Sequence, residues 1–220
     1  LCKRPCFHDE YLQSYNEPGC TLLDTDGKGV ERITENGVVV DGKEYEVDCI
    51  IYASGFEVGT PFERRSGYDT KGRDGLLLSD YWEKGMRTMH GAHVHGFPNL
   101  FIVQATQGAN LISNYPHNLT ESGTTVALMI KHAIDNGFSE IEVKKEAEDA
   151  WIKLLMSAPP RMIGSTNCTP GYYNNEGKGW GDGADGSIIA ASSYPAGATA
   201  YFEYLKKWRS SGEFEGIEFS

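Results

Sequence analysis

The sequence predicts an α/β fold, on three observations. Residues 38–56 hold a hairpin, then a short apolar run and a small-residue turn. A second apolar run of strand length occupies Leu100–Val103, and stretches of helical period fill much of the second half of the chain. In the hairpin, Val38–Val40 and Tyr45–Val47 flank Asp41-Gly42. That dipeptide favours a type I′ turn, whose two central residues both need positive φ. Asp48 then leads into Cys49-Ile-Ile-Tyr52, which reads as a buried strand with Cys49 as a small buried hydrophobe. Ala53-Ser54-Gly55-Phe56 ends it. Small residues suit a turn with another body against its backbone, and Gly55 permits φ > 0 there.

The remaining elements follow in order. Gly59, Gly67, Gly72 and Gly75 break residues 57–85 into loops. Within them, Leu76–Leu78 with Tyr81 and Trp82 read as a short strand or turn packed on a neighbour. Gly96-Phe-Pro-Asn leads into Leu100–Val103, a strand expected to be buried on both faces. A helix is expected at about residues 119–136, with Val126, Met129, Ile130 and Ala133 on one face and Gly137 as its stop. Ser139 and Glu142 form a capping box for a second helix. Its solvated side carries Lys144, Lys145, Glu146 and Glu148, its inner side Ile152 and Leu155, and Pro159-Pro160 ends it. Residues 164–186 are too rich in Gly, Asn and Asp for a regular element. A last helix near 197–210 presents Tyr201, Tyr204, Leu205 and Trp208, a stripe that fits core packing better than a cofactor box.

Charge excludes one class of partner. A formal net charge of −11 over 220 residues offers no basic stripe for phosphates, so nucleic acid is not expected. The lack of a signal peptide or long apolar run points away from membranes and to a reducing cytoplasm. Five cysteines (Cys2, Cys6, Cys20, Cys49 and Cys168) are scattered without the spacing of a metal knuckle or a redox pair. His90, His93 and His95 could gather imidazoles on a metal, but no carboxylate or thiol cluster completes the set. Structural histidines are the weightier reading, and no metal is expected.

Six segments carry a resemblance: Lys3-Arg4-Pro5, Ala53–Phe56, Met86-Arg-Thr-Met-His-Gly91, Gly96-Phe-Pro-Asn-Leu-Phe101, Ser113-Asn114 and Gly171-Tyr-Tyr-Asn-Asn-Glu-Gly177. In that order, along nearly the whole chain, they resemble the C-terminal part of a Baeyer–Villiger monooxygenase, a class B flavoprotein monooxygenase. The resemblance implies a two-dinucleotide-binding-domain flavoprotein using FAD and NADPH. Residues 1–56 would be the end of its NADPH-binding domain. Residues 57–220 would be the C-terminal part of its FAD-binding domain, with a substrate-pocket loop and a mobile lid. Ketone and O2 would be the substrates, an ester or lactone the product. The family's Gly-rich FAD and NADPH fingerprints, and the signature between them, are missing here. The nearest match, Gly177-Lys-Gly-Trp-Gly-Asp182, lacks the last Gly and follows no strand signal. A fragment is therefore expected, its N-terminal cofactor-binding part lying on the same or another chain; Leu at position 1 fits that.

The resemblance also assigns roles. Arg4 would be catalytic, a fixed cation for the anion that attacks the ketone and for the adduct formed. Lys3 would reach the 2′-phosphate of NADPH, and Ser54 (Thr in the family pattern) and Gly55 would lie against cofactor. Asn114 and Tyr115 would offer backbone groups to the flavin, Asn110, Leu111 and Ile112 would line the ketone pocket, and Asn174 would belong to the lid. The family's Trp near Thr169 is absent. Without the resemblance, Lys3-Arg4 reads as a solvated basic pair, and residues 108–115 read equally as a polar loop that caps the next helix. The other functions in view are a flavin monooxygenase of amines or sulfides and a non-catalytic remnant that packs against a partner.

Overall fold

Asp41 and Gly42 fix the register of the first sheet. Their φ angles of 48° and 74° make the turn of the expected type. It joins β2 (Gly37–Val40) to antiparallel β3 (Lys43–Glu46), with Val38 opposite Tyr45 and Val40 opposite Lys43. A two-residue strand, β1 (Arg32–Ile33), pairs with the other edge of β2. Gly37 is required at its position, since a Cβ there would meet the Tyr45 carbonyl oxygen at 1.9 Å. In this computed structural model the described residues are 6–53, 55, 62–104, 106–109, 113–157, 168 and 193–220. The chain divides into two units, the first Arg4–Glu57 and the second Val58–Ser220 together with Leu1–Lys3.

The strand expected at Cys49–Tyr52 does not form. Ile51 and Tyr52 are 85% and 74% exposed, and Cys49 is an exposed thiol rather than a buried hydrophobe. An apolar run becomes a buried strand only beside a ladder partner, and the described residues supply none beyond the three strands above.

In the second unit, α3 (Tyr115–Asn136) buries Asn118, Ser122, Thr125, Met129 and Ala133, and Gly137 closes it in the left-handed conformation at φ 75°. The helix begins at Tyr115 rather than near 119. Its apolar face is rotated from the expected one, leaving Ile130 exposed and Val126 half-buried. Ser139 and Glu142 do not cap a helix. Residues Ile141–Val143 are strand β4, antiparallel to β5 (Ile217–Phe219), and the helix α4 starts later, at Lys145, and runs to Met156. The two strands share an apolar-Glu-apolar alternation, and β-branched Ile141 and Val143 fit a pleat better than a first helical turn. The last helix, α5, spans Ala198–Ser211. Met129, Trp151, Leu155, Tyr201, Leu205 and Trp208 meet in the core between α3, α4 and α5.

A smaller cluster of Leu78, Val94 and Phe97 packs with Phe62 and Trp82, which stand on or beside the short helices α1 (Phe62–Ser66) and α2 (Leu78–Tyr81). Leu100–Val103 is not a doubly buried strand. It makes one bridge, from Phe101 to His93, and Val103 is half exposed, because its neighbour is the irregular loop 89–94. Glu148, expected in solvent, is fully buried. It accepts from the Tyr81 hydroxyl at 2.6 Å and the His95 amide at 3.1 Å, with Arg87 Nε at 3.5 Å. A buried carboxylate is stable only with such partners. Cys168 is disulfide-bonded. Among the described residues no helix is long and apolar enough to cross a membrane.

Candidate functional site

Two buried corners of the second unit press against each other. His90 and Gln107 both hold left-handed backbone, at φ 56° and 58°, where a side chain costs about 1 kcal/mol. Both are almost wholly inaccessible. In each, the carbonyl accepts from an aromatic side chain on a helix: Tyr201 of α5 donates its hydroxyl to His90 O at 2.8 Å, and Trp151 of α4 donates its indole N–H to Gln107 O at 3.0 Å. Glycine lies after each. A Cβ on Gly91 would meet Thr106 O at 2.6 Å, and one on Gly108 would meet the Tyr201 ring at 2.8 Å. Only Gly lets the chain pass so closely at these two points.

The Gln107 side chain is bonded as well. Its Oε1 accepts from Thr88 Oγ1 at 2.6 Å, and its Nε2 donates to Met86 O at 2.5 Å. One residue on, the Gly108 carbonyl accepts from the Tyr194 amide at 2.9 Å. The loop leaving this corner ends at α3, where Asn114 Oδ1 accepts from the His117 amide at 3.0 Å. Buried Asn118 and Ser113 hydrogen-bond beside it. The capping reading of this loop is therefore realised by Asn114. The residues between its two ends, 110–112, are not among those described.

His90 stands in an aromatic cage, its ring 4.7 Å from Trp151, 4.8 Å from Trp208 and 5.3 Å from Tyr204. Its Nε2 is 3.0 Å from the Tyr204 hydroxyl. His93 lies 6.4 Å away, ring to ring. Neither His90 Nδ1 nor His93 Nε2 has a hydrogen-bond partner among the described residues. Burial pushes the His93 pKa down to about 4, and burial and then the neighbouring His93 push that of His90 well below its ordinary value. Both rings are neutral at pH 7. His95 turns elsewhere, its Nδ1 donating to Val143 O at 2.9 Å. No group of three His, Cys, Asp or Glu side chains able to hold a metal occurs among the described residues.

Of the residues singled out from sequence, the structure describes Gly55, Asn114 and Tyr115. Gly55 takes φ 92° with open space where a Cβ would point, Asn114 caps α3, and Tyr115 opens that helix and is partly exposed. Lys3, Arg4, Ser54, Asn110, Leu111, Ile112 and Asn174 lie outside the described residues. Sequence reasoning missed Gln107, Trp151 and Tyr194 altogether. The available signal was the pair of glycines at 91 and 108, each following a bulky polar residue.

No family model matches the chain. Over 219 residues, 99% of its length, it is 42% identical to the FAD-binding monooxygenase hmp7 of Hypomyces subiculosus. It is 38% identical over 218 residues, again 99%, to Baeyer–Villiger monooxygenase ATR8 of Stachybotrys chlorohalonatus. The polycyclic ketone monooxygenase from Thermothelomyces thermophila superposes on all of the chain with a TM-score of 0.83 at 35% identity. The chain is homologous to part of the Baeyer–Villiger monooxygenases. It spans 35% of hmp7, 34% of ATR8 and 35% of the Thermothelomyces structure, about a third of each of these monooxygenases. Its α/β fold is accordingly that of a portion of these flavoproteins.

Proposed function

We propose that the chain is one portion of an FAD- and NADPH-dependent Baeyer–Villiger monooxygenase, which inserts one oxygen atom of O2 beside a ketone carbonyl to give an ester or lactone. The observation that carries this reading is identity of 38–42% running through 99% of the chain to monooxygenases, one of them named for this reaction. Residues 1–56 then close the NADPH-binding domain, and residues 57–220 belong to the FAD-binding domain. The preceding cofactor-binding part of the enzyme is the chain's first partner. A polycyclic ketone is the substrate class to try first, since the structural relative is named for it.

FAD, when bound, supplies the redox chemistry and the activation of oxygen. The residues of this chain supply charge, shape and exclusion of water. Arg4 is protonated at any working pH and presents several donors in one plane to negative charge growing on the ketone oxygen. Lys3 meets the 2′-phosphate of NADPH. Ser54 and Gly55 let cofactor lie against the main chain, and the open side of Gly55 fits that role. Asn114 and Tyr115 stand at the start of a 22-residue helix with no acidic residue in its first turn. The partial positive charge there is uncountered and suits the polar edge of a reduced flavin. Asn110, Leu111 and Ile112 line the ketone cavity, and Asn174 belongs to a lid that keeps water out.

Replacing Arg4 with Ala in the whole enzyme tests the reading. Ester formation should fall by about two to three powers of ten, while NADPH still bleaches the flavin. Unchanged ester formation would remove Arg4 from the reaction. A wild-type enzyme that oxygenates sulfides but no ketone would point to the soft-nucleophile branch instead.

A further inference from the structure

We infer that Tyr204, paired with His90, ends a one-electron relay through the aromatic core, which carries an oxidising equivalent from buried Trp151 to a partly exposed phenol. This goes beyond the monooxygenase reading and uses none of the residues assigned to it. The function is protective, and it answers a one-electron oxidant of the peroxyl-radical class. Trp151, Tyr194, Tyr201 and Tyr204 form one contiguous stack. Ring to ring, Trp151 lies 5.7 Å from both Tyr194 and Tyr204 and 6.1 Å from Tyr201, and Tyr194 lies 5.8 Å from Tyr204. Rings at these separations are in contact, and an electron passes readily between them. Trp151 and Tyr201 are buried, whereas Tyr204 is partly open to solvent.

Hydrogen-bond partners decide where the missing electron settles. An oxidised phenol is stabilised when the proton it sheds has a base to receive it. The Trp151 N–H donates to Gln107 O, and the Tyr201 hydroxyl donates to His90 O. Both acceptors are amide carbonyls, which take no proton at neutral pH. The Tyr204 hydroxyl instead meets a base, His90 Nε2 at 3.0 Å. Burial keeps that imidazole neutral, with a nitrogen lone pair to offer, in the tautomer that carries its proton on Nδ1. Burial, and then the Tyr194 phenol, hold the Tyr204 pKa above its ordinary value, so Tyr204 has a proton to give. A peroxyl radical takes one electron from Trp151, directly or through a neighbouring ring, and becomes a peroxide anion. Tyr204 refills the indole radical cation with one electron as its proton moves to His90 Nε2, leaving a neutral phenoxyl radical beside an imidazolium. A thiolate in solution then returns one electron and becomes a thiyl radical, and the imidazolium returns the proton to the Tyr204 oxygen.

Photo-ionisation of the whole enzyme tests the relay. An ultraviolet laser flash ejects electrons from indoles, buried ones included, and transient absorbance follows indolyl radicals as phenoxyl radicals replace them. In the wild type, part of this conversion should be first order, independent of protein concentration and slower in D2O. That part should vanish in Tyr204→Phe, which keeps the ring and loses only the hydroxyl. In His90→Asn it should slow about a hundredfold, the price of a positioned base. Asn tolerates the left-handed backbone at φ 56° but its amide takes no proton. Under a peroxyl-radical generator, peptide mass spectrometry should find Trp151 oxidised several times faster in Tyr204→Phe than in the wild type. Conversion in Tyr204→Phe equal to that of the wild type would overturn the inference, and so would equal oxidation of Trp151 in the two proteins. A wild-type conversion with no slowing in D2O would remove the proton transfer to His90, and this reading decides the matter should His90→Asn not fold. A merely structural hydrogen bond would leave both the D2O effect and the radical conversion untouched.

Discussion

The hairpin turn at Asp41-Gly42 and the buried corner at Gln107-Gly108 both bring the chain round through left-handed backbone, but they are stabilised differently. At the hairpin, the local residues suffice: Asp and Gly tolerate positive φ, the turn is exposed, and nothing lies within 4 Å of where a Cβ on Gly42 would point. At Gln107, local preference opposes the conformation, and donors from distant parts of the unit offset it. The first kind of turn joins two strands. The second holds a buried corner against α4 and the 86–88 segment, just before the loop proposed to line the substrate cavity.

The largest expected effect separates two glycines of similar φ. Gly91→Ala should destabilise by roughly 3–5 kcal/mol, because the new methyl meets a carbonyl oxygen at 2.6 Å in addition to backbone strain. Urea unfolding of the whole protein measures it. Next comes acid sensitivity of the buried corner. His93 has a folded pKa of about 4 against an ordinary 6.5, so the unfolded chain binds more protons between those pH values and stability falls as pH drops through that window. The loss from His93 alone is on the order of 3 kcal/mol, and His90 adds to it in the same direction. Stability measured from pH 7 to 4 should fall less steeply in His93→Leu than in the wild type. Equal slopes would mean that His93 is not buried as a neutral ring.

Trp151→Phe should cost about 1–2 kcal/mol, the indole donor being lost while most of the packing is kept. Smallest is Gly42→Ala at about 1 kcal/mol, strain without a clash. If Gly42→Ala proved as damaging as Gly91→Ala, the contrast between open and packed turns would fail.

What could be read from sequence follows the same division. The hairpin was legible because Asp-Gly fixes the turn whatever surrounds it. The end of α3 was legible because Gly137 is a local stop, and Tyr201, Leu205 and Trp208 were legible as core from their spacing. Ser139 and Glu142 misled because a capping box and a strand entry can share residues, and only the pairing of Ile141–Val143 with Ile217–Phe219 decides between them. Glu148 misled because its burial depends on Tyr81, Arg87 and the His95 amide, all remote in sequence. Cys49–Tyr52 has strand composition and, among the described residues, no strand beside it. Gln107 carries little local signal beyond the glycine that follows it. The loop after it was found through resemblance, and the means of holding it only through tertiary contacts.

Incubating the whole enzyme with NADPH, a polycyclic ketone and 18O2, and weighing the product, tests the central claim most directly. One 18O atom in the ring oxygen of a new ester or lactone is the predicted result. NADPH consumed with the ketone recovered unchanged, or label absent from the product, would contradict the reaction proposed for the enzyme of which this chain is a portion.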